Sequence, residues 1–164
     1  MVTGIAYPLL VTGVSQLVFP AQANGSLVHK GDQIVGSALL AQKFTDARYF
    51  WPRPSAVDYA TVASGASNQG FTSKKLLDAV NQRRALFGSQ APSDLLYASG
   101  SGLDPQISPE AAAFQITRVS AARGISVERL EKLVKSVTEA PQFGFLGQPR
   151  VNVLLLNSSL DEVK

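Results

Sequence analysis

The stretch Ala98–Arg118, ASGSGLDPQISPEAAAFQITR, decides the architecture of the chain, since it passes from a loop of very small residues into a strongly marked helix. The loop consists of Ser99, Gly100, Ser101 and Gly102. A backbone with so little side-chain bulk can adopt conformations closed to most residues and can approach a neighbouring segment closely. We therefore expect the rest of the chain to hold this loop and the following helix in place.

The helix start is marked by Ser108-Pro109-Glu110. Serine is a favourable N-cap, and proline at the first helical position loses no hydrogen bond, because that N–H has no partner inside the helix. The pattern predicts a helix from Pro109 to Arg123 that ends at Gly124. Its predicted apolar stripe comprises Ala111, Ala112, Ile116, Val119 and Ala122.

Gln115 lies on the same stripe, four residues from both Ala111 and Val119. Leaving a buried amide unpaired costs on the order of 1 to 3 kcal/mol, so this side chain must find hydrogen-bond partners. One interpretation is that it braces the preceding Gly-rich loop, and the other is that it contacts a ligand. The residue pattern favours the brace.

Composition excludes several kinds of site. The 164 residues include no cysteine and a single histidine, His29, which excludes disulfides, thiolate or multi-histidine metal sites, and most catalytic arrangements that need a histidine base. The length suits one well-buried domain. The net charge is +3, but the only paired cations, Lys74-Lys75 and Arg83-Arg84, fall on different faces of one predicted helix. We expect no metal and no nucleic-acid binding.

The first 23 residues predict a membrane segment. Met1–Phe19 contains no charged side chain, and the run extended to Ala23 reaches the roughly 20 mainly apolar residues that a spanning helix needs. We expect a single transmembrane helix over residues 1–23, short at its N-terminus, followed by an α+β soluble domain over residues 24–164. A cleaved secretory signal is the alternative, because Ala21-Gln22-Ala23 has the pattern of a cleavage site. Both a membrane helix and a signal peptide are usually preceded by basic residues, and this stretch shows none before its apolar run.

The part after residue 23 is predicted to mix short strands with helices. Val28–Val35 is typical of a hairpin that turns at Lys30-Gly31-Asp32. Arg150–Asn157 alternates apolar residues on one face and predicts a final strand. The further predicted helices are Lys74 to about Phe87, capped by Ser73 and ended by Gly88, and a helix capped by Ser126 that runs to about Val137.

An aromatic segment, Tyr49–Ser55, has two closely spaced prolines that forbid a helix. Phe50 is assigned to the core. Trp51 and Arg53 are left open between two interpretations: an aromatic cap on the core with the arginine over a ring, or a contact surface for another protein. Asn68, in the small-residue loop 64–70, is a third contact candidate and is suited to a left-handed conformation.

Few residues offer catalytic chemistry. No Walker A sequence is present, and Gly100-Ser101-Gly102 lacks the third glycine of a dinucleotide fingerprint. The backbone N–H groups of this loop could still form a weak anion-binding nest. Asp104 before Pro105 is typical of a turn and Glu110 of a dipole partner, so the residues predict interaction loops and no catalytic residue.

Seven motifs, taken in order, resemble the C subunit of the Kdp potassium-transporting ATPase of bacteria. They are YPLL, QANGSL, GSALLAQKF, YFWPRPSA, SGASNQG, ASGSGLDPQISPEAAAFQITRVSAAR and QPRVNVLLLN. The resemblance spans nearly the whole chain and implies a single-pass protein of the bacterial inner membrane. The implied partners are a potassium-translocating subunit, a P-type ATPase subunit and a small single-helix subunit. Relative to that family the membrane helix begins late, which implies a truncated start.

The resemblance also implies a non-catalytic role as a catalytic chaperone, which raises the affinity of the ATPase subunit for a shared ATP. The implied nucleotide contacts are Gln115, at the position likened to the signature motif of ABC transporters, and Ser99, Gly100, Ser101 and Gly102. A single N-terminal helix of this kind places the following domain on the outer, periplasmic face. Two mechanisms therefore stay open: a nucleotide-linked chaperone on the cytoplasmic side, or a structural subunit that borders potassium entry outside. A free-standing envelope hydrolase using Asp104 or Glu110 is a further hypothesis.

Overall fold

The N-terminal unit, Met1–Leu39, combines helical segments with a hairpin. The structure is a computed structural model that describes residues 1–163. A π-helical turn, Val2–Ala6, leads into α1, Tyr7–Val18, and a short helix α2, Pro20–Ala23. The helices separate at Phe19, which has φ −132°, because proline has no N–H to donate and disfavours helical backbone at the residue before it.

The membrane prediction for residues 1–23 is not confirmed. Within residues 1–163, no helix combines the length and the apolar character needed to cross a bilayer. None of the side chains in the turn, α1 or α2 is buried.

The hairpin is confirmed. Strands β1, Leu27–Lys30, and β2, Gln33–Ser37, pair antiparallel with a bulge between Val28 and His29. The turn falls at Gly31-Asp32, and Gly31 has φ +61°, a conformation that glycine adopts without steric cost.

The second unit begins at Leu40 and mixes helices with short strands, in agreement with the predicted α+β class. Its helices are α3, Lys74–Phe87; α4, Ser93–Leu96; α5, Pro109–Arg123; α6, Val127–Val137; and α7, Val153–Glu162. Its strands are β3, Gln106–Ile107; β4, Thr138–Glu139; and β5, Arg150–Asn152. They form an antiparallel sheet in the order β3-β5-β4, with Val151 opposite both Ile107 and Thr138.

The core of this unit lies between α5, α6, α7 and the central strand β5. It includes Phe50, Leu95, Ile107, Ala111, Ala112, Ile116, Val119, Leu130, Val151, Val153, Leu156 and Leu160. Helix α5 buries most of its predicted stripe, but Ala122 is exposed. The central strand therefore buries Val151, and the helix that follows it buries Val153, Leu154 and Leu156.

The sequence signals for α5 are confirmed at both ends. The Ala111 N–H donates to Ser108 Oγ over 3.1 Å, and Gly124 ends the helix with φ +68°. The bounds predicted for α3 and α6 are also confirmed.

The predicted strand Arg150–Asn157 is wrong beyond Asn152. The Leu155 N–H donates to Asn152 Oδ1 over 3.2 Å, so the asparagine side chain caps the new helix α7. An apolar run of this length fits a buried helix as well as a strand, and the cap decides between them.

Candidate functional site

The aromatic segment Tyr49–Ser55 is neither helix nor strand, and two side-chain amides hold its backbone. The Phe50 N–H donates to Asn157 Oδ1 over 2.9 Å, and Asn157 Nδ2 donates to the Phe50 carbonyl over 3.0 Å. The Trp51 N–H donates to Gln115 Oε1 over 2.8 Å, and Gln115 Nε2 donates to the Trp51 carbonyl over 3.1 Å. We call these four residues the amide clamp.

The Gln115 side chain has all of its hydrogen-bonding positions filled from within the chain. Its Nε2 also donates to the Ala111 carbonyl over 3.2 Å, and its Oε1 also accepts from Arg118 Nη2 over 2.7 Å. An amide offers two donor hydrogens and two acceptor lone pairs, and this residue is only 2% exposed. The expected brace is present, but its partner is Trp51 and not the Gly-rich loop. The nucleotide contact stays a prediction, and it would require one of these bonds to break.

Trp51 is half-buried between two other side chains. The Arg118 guanidinium lies 4.1 Å from the ring centroid, and the Phe87 ring meets it edge-on with centroids 5.6 Å apart. Trp51 Nε1 donates to the Asp46 carbonyl over 2.9 Å, so the polar group of the indole is satisfied. Burial lowers the pKa of Arg118 from its ordinary value. The structure thus favours the core interpretation of Trp51, and its contact with a partner stays a prediction.

Arg53 joins the aromatic segment to Asp94 in α4 and to Asp104 just before β3. Its Nη1 lies 3.0 Å from Asp104 Oδ2, and its Nε lies 4.0 Å from Asp94 Oδ1. The same carboxylates accept backbone N–H groups, of Gln106 for Asp104 and of Ser108 for Asp94. Among residues 1–163 the guanidinium groups found over rings are Arg118 on Trp51 and Arg123 on Tyr49. The interpretation that placed Arg53 over a ring is therefore wrong, because carboxylates supply a stronger partner.

The Ser99–Gly102 loop packs at the other end of the aromatic segment. The Ser99 N–H donates to the Pro54 carbonyl over 3.0 Å, and the Ser101 carbonyl accepts from the Gly65 N–H over 2.8 Å. Gly102 has φ +70°, and a Cβ added to it would lie 2.7 Å from Val57 Cγ2. The close backbone approach expected of this loop is therefore confirmed.

The tip of this loop faces outward. Gly100 and Ser101 are exposed, and their N–H groups find no acceptor in the part of the chain that the structure describes, residues 1–163. No hydrogen bond joins this loop to Gln115 among the same residues. The structure thus places the two parts of the predicted nucleotide site at separate points along the aromatic segment.

Tyr59, in the loop that follows the aromatic segment, holds the backbone of that segment at Arg53. Its hydroxyl donates to the Arg53 carbonyl over 2.8 Å, and Ser55 Oγ accepts from the N–H groups of Val57 and Tyr59. Burial raises the pKa of Tyr59 to about 12, with a smaller contribution from Asp58. The phenol is therefore held in its neutral, hydrogen-donating form.

Comparison with known proteins shows which family the chain belongs to. A profile of the family described as "K+-transporting ATPase, c chain" matches residues 1–162. The chain belongs to this family, KdpC. The resemblance inferred from the sequence motifs is thereby confirmed.

Three relatives are each named as the KdpC subunit of a potassium-transporting ATPase. The protein from Methylococcus capsulatus is 52% identical over 174 residues, covering 100% of this chain and 92% of the relative. The protein from Xanthomonas oryzae pv. oryzae is 51% identical over 166 residues, covering 97% and 79% respectively. The protein from Polynucleobacter asymbioticus is 48% identical over 171 residues, covering 98% and 90%.

Two residues central to the site of this KdpC-family chain were missed by sequence reasoning. Asn157 was placed at the end of a strand, although an asparagine within a long apolar run is itself a sign of a buried hydrogen bond. Arg118 lies one helical turn after Gln115, a spacing that could have suggested their contact.

The remaining predicted positions lie outside the amide clamp. Asn68 has φ +51°, which confirms its left-handed conformation, and it lies in an exposed loop. Its contact with a partner stays a prediction. Of the two acids considered for hydrolysis, Asp104 is bonded to Arg53 and the Gln106 N–H, and Glu110 is exposed in the first turn of α5.

Proposed function

We propose that the chain is a non-catalytic accessory subunit of a bacterial potassium-transporting ATPase and that it stabilises the assembled complex. The observation that carries this proposal is the family match over residues 1–162, together with relatives at about half identity that are named as subunits of that ATPase. The proposed partners are the potassium-translocating subunit, the P-type ATPase subunit and the small single-helix subunit.

The N-terminal segment supports attachment to the inner membrane. Residues 1–23 carry no charged side chain, and none of the side chains in its helical parts is buried within the chain. So much exposed apolar surface is stabilised only when lipid or another subunit covers it. We propose that this segment provides the attachment and that the second unit lies on the outer face.

The amide clamp supports the structural mechanism over direct nucleotide contact by Gln115. The polar groups of Gln115 and Asn157 hold the chain's own backbone, and the carboxylates of Asp94 and Asp104 hold Arg53 and two backbone N–H groups. Side chains used in this way shape a surface for another subunit. Gln115 in particular has no unoccupied donor or acceptor position to offer a nucleotide.

A nucleotide-linked chaperone role is the second candidate, and one observation favours it. The N–H groups of Gly100 and Ser101 are exposed and lack an acceptor within residues 1–163. Successive free backbone N–H groups can hold a phosphate oxygen. In this candidate the loop tip, with ATP shared with the ATPase subunit, makes the contact and raises the affinity of that subunit for ATP.

An affinity pull-down from membranes tests the proposed function. The full chain is tagged at its C-terminus and expressed with the other subunits of the transporter. We expect the potassium-translocating and ATPase subunits to copurify in fixed ratio. Purification of the tagged chain without either of them would contradict the proposal.

The position of the loop tip decides between the two mechanisms. The chain has no cysteine, so Ser101→Cys introduces a single thiol at an exposed position. Labelling of this thiol by a membrane-impermeant reagent in whole cells places the loop outside, where the structural mechanism expects it. Protection of the thiol in whole cells, combined with crosslinking of a labelled ATP analogue to this chain in the intact complex, supports the chaperone role.

A further inference from the structure

An apolar groove lies where α5, α6 and the loop of residues 140–149 meet, and it shares no residue with the amide clamp. Its volume is about 580 Å³. Its apolar lining includes Pro109, Ala113, Ile116, Val134, Pro141 and Pro149. Two charges of opposite sign, Glu131 on α6 and Lys135 one turn further on, lie at its edge.

The loop beside the groove, residues 140–149, exposes three large apolar side chains. Its sequence, APQFGFLGQP, has no charge. Phe143 is 79% exposed, Phe145 is 76% exposed and Leu146 is half exposed. We call residues 140–149 the phenylalanine loop.

Backbone hydrogen bonds hold the phenylalanine loop in one shape. The Gln142 N–H donates to the Leu146 carbonyl and the Leu146 N–H donates to the Gln142 carbonyl, each over 2.9 Å. The Gly144 N–H donates to the Pro141 carbonyl, also over 2.9 Å. A loop closed in this way loses little conformational freedom when a partner binds it.

Phe143 has an unfavourable backbone conformation although its side chain is 79% exposed. Its φ is +55°, in the left-handed region that bulky residues rarely adopt. Its side chain is nevertheless mostly exposed, so burial in this chain does not offset the strain. Strained backbone of this kind is concentrated at functional sites.

We propose that the apolar groove and the phenylalanine loop form the docking surface for an apolar segment of another protein subunit of the transport complex. This inference rests on the proposed function. A concave apolar centre bordered by both charge signs is the anatomy of a protein interface, with Phe143 and Phe145 as its anchors. A lipid surface would instead favour a border of one sign, rich in Lys and Arg.

A pair of variants in the full chain, expressed with the complete complex, tests the docking surface. Phe143→Asn removes the anchor while keeping a residue that tolerates left-handed backbone. The matched control is Phe71→Ser, because Phe71 is 96% exposed in a different loop. We expect Phe143→Asn to reduce the other subunits retained in the pull-down by about tenfold, and the control to retain them. The midpoint temperature of thermal unfolding of the purified Phe143→Asn chain should equal or exceed that of the wild type.

Crosslinking identifies the occupant. Phe143→Cys gives the cysteine-free chain a single thiol, to which a photoreactive group is attached in membranes that contain the complex. A crosslink to another subunit supports the proposal. Crosslinks only to lipid, or only between two copies of this chain, would overturn it, as would full retention of the other subunits by the stable Phe143→Asn variant. If the wild-type chain itself retains no other subunit, the proposed function fails first.

Discussion

Gln115 and Asn157 bind consecutive residues, Trp51 and Phe50, through all four of their backbone polar groups. In extended backbone, the N–H and C=O of one residue point to one side, and those of the next residue point to the other side. The amides that bind Phe50 and Trp51 therefore come from different helices, α7 and α5. The amide clamp thus supplies the hydrogen bonds that two flanking strands would give. Phe50 is thus fixed in the core, and Trp51 beside it, without either belonging to a sheet.

Loss of the Asn157 amide should destabilise the fold. Asn157→Ala leaves both backbone groups of the fully buried Phe50 unpaired, so we expect the free energy of unfolding to fall by about 2 to 4 kcal/mol. Urea unfolding of the purified full chain in detergent measures this change. Asn81→Ala, an exposed position on α3, is the control and should change the value by less than about 0.5 kcal/mol. Equal stability of the two variants would refute the role of the clamp.

The two glycines of the small-residue loop should respond differently to alanine. Gly102→Ala places a Cβ 2.7 Å from Val57 Cγ2 at a backbone with φ +70°, and we expect a loss of about 1 to 3 kcal/mol in unfolding free energy. Gly100→Ala meets nothing within 4 Å and should be nearly neutral. The comparison uses the same unfolding measurement. Similar losses for both variants would show that the loop does not pack as described.

Tyr59 should lose its phenolic proton only at strongly alkaline pH, and the free energy of unfolding should fall there. Because its pKa is raised from 10.0 to about 12, the unfolded chain loses the phenolic proton at a lower pH than the folded chain does. The stabilisation is fully present below pH 10 and is lost as the pH rises from 10 to 12. The phenolate absorbance of the wild type minus that of Tyr59→Phe measures the pKa directly. A midpoint near 10 would contradict the burial of the Tyr59 phenol.

Local signals predicted the helices α3, α5 and α6, whereas the contacts of Gln115 with the aromatic segment are long-range. The caps at Ser108 and Gly124 set both ends of α5 because a cap acts on its own helix. The partner of Gln115 is 64 positions away, and no local pattern points to it. The strand predicted at 150–157 was wrong because its apolar run suits either structure, and only the Asn152 cap begins the helix α7.

The same limit applies to the candidate site. The sequence indicated that Gln115 needs hydrogen-bond partners and that the Ser99–Gly102 loop approaches another backbone. It also indicated that Trp51 and Arg53 either pack on the core or contact another protein. It could not indicate that Arg118 stacks on Trp51 or that Arg53 pairs with Asp104. Those choices depend on which charged groups the fold brings together, and this is a property of packing.

The unfolding of Gln115→Ala without nucleotide tests most directly whether Gln115 serves the fold or a ligand. Removing its amide leaves the Trp51 N–H and carbonyl and one Arg118 donor without their partner. We expect urea unfolding of the full chain in detergent to show a loss of about 2 to 4 kcal/mol relative to the wild type. Wild-type stability of this variant, together with loss of ATP-analogue crosslinking in the intact complex, would contradict the structural role.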